Sequence, residues 1–254
     1  GTNVPGIQIS EYMPRMAKMM DKFAIIRSLA DSQGGHDLYQ CLTALPRNTR
    51  GMTGGIASIG AWVSRLYGSG KDGIPAHLSL MHPTGHAEWG DPGEGGFLGQ
   101  QHGPFRLAKG NGDNTGLDTV ENMTLSDLSL ERLQDRRALR SSFDAFSRDL
   151  NNAGDFGSLD EFEQQALGIL SSSKMAEALD LTKEDPKVLE RYGKPDLEWR
   201  ADGAPKMTTN FLLARRLVEA GARYVSLNFS RWDWHSDNFG RGRVDIPMLD
   251  QALC

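Results

Sequence analysis

The sequence predicts an α/β fold on a mostly parallel sheet, in a single domain over residues 1–254. Three observations carry this expectation. Short apolar runs of strand character alternate with segments of helical period toward both ends of the chain. A long helical insertion, about 124–193, separates the two alternating parts. The last apolar run, 222–229, ends in a burst of chemistry-bearing side chains: Asp233, His235, Asp237 and Asn238. In α/β proteins the loop past the carboxyl end of a strand is where ligands bind.

Each element has its own signal. Ser10 to Asp21 reads as a helix, with Ser10 as N-cap and Met13, Met16 and Met20 on one face. Residues 23–29 (FAIIRSL) form a strand of the buried type, followed by a turn with Gly34 and Gly35 and a helix from about His36 to Ala44. Ile59, Trp62, Val63, Leu66 and Tyr67 recur at i, i+3, i+4, i+7 and i+8, the clearest amphipathic helix in the chain. Residues 75–81 are the next strand. Residues 83–96 are too rich in Gly and Pro for regular structure, and a long loop inside a compact domain is often functional.

In the insertion, Ser158-Leu-Asp-Glu161 matches a capping box and Gly193 fits a helix stop. A helix over about 209–220 then ends at Gly221, and another starts near Asp245. The chain opens without Met and stops at Cys254 inside that helix, so a fragment, incomplete at both termini, is expected.

Composition excludes several classes. The net charge is −5, without the basic footprint of a nucleic-acid binder. No apolar run approaches the roughly 20 residues of a membrane span. Cys41 and Cys254 are too few for a disulfide scaffold or a zinc finger.

Two constellations are suited to chemistry. Asp233 and His235 offer a carboxylate oxygen and an imidazole nitrogen, donors suited to divalent metals. At i and i+2 of an extended segment they project to one side, where one metal or substrate oxyanion would meet both. The alternative is an Asp that caps the next element and a surface His. The second constellation is Arg27-Ser28 with Ser32, Gly34, Gly35 and His36: a strand, a glycine turn and a helix N-terminus. Free N–H groups there attract anions, and glycines admit a phosphate or sulfate to the backbone. Ser32 or Ser28 would serve as nucleophile or oxyanion contact, and His36 as ligand or acid/base. Alternatively, Asp31 and Ser32 only cap the helix. His77, His82, His86 and His102, with Glu88, Asp91 and Glu94, follow no metal spacing and read as a solvated, hydrogen-bonded loop; the alternative is that His82 and His86, near a strand end and the glycine-rich loop, line a cleft. Trp232 and Trp234, flanking Asp233, suit either a sugar-stacking wall or packing at a sheet edge.

Several segments together resemble one bacterial family, the "domain of unknown function 1501" proteins. They are 7–18 (IQISEYMPRMAK), 23–28 with His36, 96–99 (GFLG) with 103–105 (GPF), 178–182 (ALDLT) with 191–193 (RYG), 212–221 (LLARRLVEAG) and 232–238 (WDWHSDN). They run in family order over nearly the whole chain. The family resembles the alkaline phosphatase/sulfatase superfamily, which implies an α/β/α sandwich and a metal centre that binds an anionic ester. By this resemblance Ser32 is the first choice for nucleophile and Ser28 the second, with His36 in the same catalytic turn. Arg27, Gly34, Gly35 and Asn238 would bind substrate. Asp233 and His235 would hold a divalent metal: zinc, calcium or magnesium.

The resemblance further implies export to the periplasm and hydrolysis of sulfate or phosphate esters, carbohydrate sulfate among them. The alternative is an exported binding protein that keeps the fold without the chemistry. The family's twin-arginine export signal, early acidic first strand, Glu-Phe-Gly-Arg motif and Asp-His pair are not among these 254 residues, so this fragment alone is expected to be inactive. Cys-x-Pro-x-Arg is absent as well, which argues against formylglycine chemistry.

Overall fold

The computed structural model describes residues 1–32, 34, 38–49, 51–68, 74–86, 89–107, 173–198 and 203–254. Most of the expected insertion, with its capping box, lies outside these residues. Helices α1 (Pro14–Lys18), α2 (Tyr39–Thr43) and α3 (Ile59–Tyr67) precede β1 (His77–Ser79) and β2 (Phe105–Arg106). Helices α4 (Ser173–Leu179), α5 (Pro186–Tyr192) and α6 (Thr209–Ala220) lead to β3 (Tyr224–Ser226), and α7 (Asn238–Leu253) closes the described chain. The chain is thus mixed α/β with a small, wholly parallel sheet in the order β2-β1-β3. Among the described residues no helix is long and apolar enough to cross a membrane.

The central strand β1 is buried along its length, as a parallel strand covered on both faces must be. Its Leu78 faces Val225 of β3 and Phe105 of β2. Ile74, Leu78, Leu80 and Leu107 meet Met175, Leu179, Leu213 and Leu217 in one core. Helix α6 reaches that core through Leu213 and Leu217, and it ends at Gly221, whose φ of 126° suits glycine. From the same helix, Arg216 donates to the carbonyls of Glu177, Ala178 and Asp180 and to the Glu184 carboxylate. It thereby satisfies the open C-terminal end of α4.

Several expected elements change. The helix expected from Ser10 starts at Pro14, because proline lacks an N–H and is favoured in the first turn. Its open N–H groups, at Arg15 and Met16, are taken by both oxygens of Asp250 in α7, at 2.9 and 2.8 Å. The strand expected at 23–29 pairs with no described strand, and Leu29 is 83% exposed. A strand needs a neighbour to take its backbone groups, and apolar content alone does not supply one. Helix α2 begins only at Tyr39.

Helix α3 forms where expected, capped by Ser58, which accepts from the Ala61 N–H. Its faces are inverted, however: Gly60, Ala61 and Ser64 are buried, while Ile59, Trp62, Leu66 and Tyr67 are exposed. Small residues win because α3 lies directly against β1, with no room for a side chain at Gly60. Helix α7 starts at Asn238, seven residues earlier than expected, because Asp237 accepts from the Gly240 N–H.

Candidate functional site

The segments that leave β1 and β3 at their carboxyl ends are tied together. The Asn228 side chain accepts from the His82 N–H and donates to the His82 carbonyl, both at 2.8 Å. It imitates one more rung of the ladder past the last paired residues. His82 is itself wholly buried, with its Nε2 3.2 Å from Asn210 Nδ2 on α6.

Beyond this clasp, residues 227–237 turn tightly. Ser230, His235 and Asp237 all have positive φ, a region that non-glycine residues seldom occupy. The Trp234 N–H donates to the Trp232 carbonyl and the Ser236 N–H to that of Trp234. These turns bring Asp233 Oδ2 to 2.7 Å from His235 Nε2. The pair is therefore on one side, as the i, i+2 spacing requires.

Asp233 lines a cleft of about 520 Å³, walled by Trp89, Phe211, Phe229 and Trp232. Asn228 and Ser230 contribute to its floor. Leu38, two residues past His36, lines the same cleft. Below it, Ser230 Oγ donates to the buried Asp245 carboxylate, which lies 2.8 Å from Lys206 Nζ. Lys206 also reaches Asp196, at 3.3 Å. This ionic cluster fixes the base of the cleft. A second, more polar hollow opens on the other side of Arg231, lined by Lys206, Trp234, Asp237 and Arg241.

The remaining sequence-predicted site residues are placed differently. Arg27, Ser28, Ser32 and Gly34 are exposed, and no hydrogen bond joins them to Asp233 or His235 among the described residues. Ser32 lies seven positions before the first residue of α2, so it does not sit at a helix N-terminus. Asp31, at φ 59°, and Ser32 do not cap that helix either. Gly35 and His36 lie outside the described residues. Asn238 is exposed in the first turn of α7. Among the described residues no three His, Cys, Asp or Glu side chains gather for a metal. Reading the sequence missed Asn228, Trp89, Phe211 and Phe229. The alternation of polar and apolar residues over 226–229 was the available signal for Asn228, whereas the rings come from three separate segments.

His77, inside β1, and His82, just past it, are buried rather than part of a solvated loop. Burial pushes the pKa of His77 down from 6.5 to about 4, against the weak pull of the His102 carbonyl 3.5 Å from Nδ1. Burial lowers that of His82 as well. The folded state therefore holds His77 neutral where the unfolded chain would protonate it. Stability is complete above about pH 6.5 and falls as the pH drops toward about 4, by up to ~3 kcal/mol. Urea unfolding at pH 7 and pH 5 should show this loss, and His77→Gln should flatten the dependence. Equal slopes for the two proteins would contradict it.

Comparison with known proteins gives one result. No curated protein and no solved structure matches the chain. The family described as "Protein of unknown function (DUF1501)" matches over residues 1–254. Those residues include the clasp, the Asp233–His235 turn and the cleft, and the chain belongs to that family.

Proposed function

We propose that the protein is a metal-dependent hydrolase of sulfate or phosphate esters, working in the periplasm, with the cleft beside Asp233 as its substrate site. The supporting observation is the Asp233–His235 pair, 2.7 Å apart, in the segment past the carboxyl end of β3, with Asp233 lining that cleft. In this reading the parallel sheet is the centre of an alkaline-phosphatase-like sandwich.

The pair suits a divalent cation by its donor chemistry, one carboxylate oxygen and one imidazole nitrogen, and a cation bound by both would replace their mutual contact. Such a cation would polarise the ester oxygen and favour charge development on it. Before a cation binds, Asp233 holds the His235 ring through their contact. Ser32, with an exposed hydroxyl after the strained Asp31, supplies the nucleophile of this reading, with Ser28 as the alternative. The cleft walls exclude water from the ester's organic part.

Elemental analysis of the full-length protein tests this reading. A divalent metal is expected, with loss of both the metal and aryl sulfate or phosphate turnover in Asp233→Asn. Ser32→Ala should retain the metal and lose turnover by at least about a hundredfold. Unchanged metal content in a folded Asp233→Asn protein would remove the pair from the metal site. The mainly aromatic wall of the cleft favours a second reading, a binding protein that captures its ligand without chemistry. Bound ligand without turnover would support it.

A further inference from the structure

We propose that the aromatic cleft is a sugar-ring subsite, in which the C–H face of a glycan residue stacks on Trp232. The proposal rests on the reading that the cleft receives the substrate, but not on hydrolysis. Four rings follow one another along this side of the molecule. Phe211 meets Phe229 edge-on at 5.7 Å, Phe229 lies 6.2 Å from Trp232, and Trp232 lies 5.7 Å from Trp234. Phe229 is buried and anchors the row, while Trp232 is 45% exposed. A half-exposed indole, held by two ring neighbours and open to a cleft, is a rigid platform that loses little entropy when a ligand covers it. Trp89 contributes from the glycine-rich loop, held against His86 at 4.6 Å.

Polar groups decide which flat ligand fits. Arg231 and Asp233 stand on either side of Trp232, and both line the cleft. A wholly apolar ligand would strip water from these two charged groups and return no hydrogen bond, which is costly. A pyranose matches both kinds of surface. Its C–H face covers indole, and its equatorial hydroxyls reach the carboxylate and the guanidinium at the ring's edge. Trp234 continues the row into the polar hollow, where its shielded indole N–H has no partner among the described residues. That donor suits a hydroxyl on the next sugar. The ring, rather than the ester group, is therefore what the cleft recognises.

The experiment probes the full-length protein on an array of sulfated and phosphorylated oligosaccharides and their unsubstituted counterparts, followed by titration of the bound ones. Binding is expected for at least one glycan, and for its unsubstituted counterpart as well. Trp232→Ala should weaken both by about tenfold, and Trp232→Tyr should restore most of the affinity. Since Trp232 is half exposed, both variants should melt within a few degrees of the parent. No glycan bound by the folded protein would overturn the inference, and so would equal binding by Trp232→Ala. Aryl ester turnover without glycan binding would overturn it while leaving the hydrolase reading intact. Glycan binding without metal or turnover would sustain it and remove the hydrolase reading.

Discussion

Replacing Lys206 with Met is expected to cost about 3–5 kcal/mol of folding stability. Lys206 is only 4% exposed, and its ammonium group lies 2.8 Å from Asp245. Met keeps much of the apolar stem but leaves the Asp245 carboxylate buried without its countercharge. Ser230 still donates to that carboxylate, and one neutral hydroxyl does not replace an ammonium group. The cost arises from stranding a charge, so removing both charges should recover much of it. Lys206→Met with Asp245→Leu is therefore expected to be closer to the parent than Lys206→Met alone. Urea unfolding of the three proteins measures this directly. A single variant within about 1 kcal/mol of the parent would show that water reaches Asp245. The effect should extend to the cleft, because Asp245 holds Ser230 in its positive-φ turn beneath it.

Gly60→Ala is expected to destabilise the fold by about 2 kcal/mol, although alanine is the better helix former by about 1 kcal/mol. The added methyl would overlap the His77 ring. That ring has no open space to move into: it packs edge-on against Tyr224 at 5.1 Å and is fully buried. Helix α3 would have to lift away from β1, or β1 would have to shift against β3. Overpacking should therefore outweigh propensity. Thermal melting of Gly60→Ala, and of the same change in a His77→Ala background, separates the two terms. The background should turn the loss into a small gain, and a stabilised single variant would disprove the clash.

Local chemistry made part of this molecule legible in its sequence. The helix start near Ile59, Gly221 after α6 and the apolar run around β1 are each set largely by local pattern, and each stands close to where that pattern put it. The Asp233–His235 pairing was legible for the same reason, since an i, i+2 spacing in a tight segment leaves few other arrangements. Helical periodicity likewise located α3, but it could not say which face turns inward. Apolar character favoured Ile59, Trp62 and Leu66. Close approach to β1 selected Gly60, Ala61 and Ser64 instead, and that approach exists only once the sheet has formed. The run 23–29 misled in the same way, because a strand is defined by a neighbour that no local pattern reveals.

What only the tertiary structure decided is long-range. Asp250 caps α1 from more than 230 residues away, Arg216 closes α4 from α6, and Asn228 joins two loops that share no sequence proximity. The cleft itself belongs to this class. Its rings come from the loop after β1, from α6 and from the segment after β3, and nothing near any of them in sequence indicates the others. By itself the sequence determined the α/β class, the family and the one segment dense in metal-competent side chains. Because these depend on short-range pattern, they survive without coordinates. Which side chains share a surface depends on how distant segments pack, and only the folded chain fixes that.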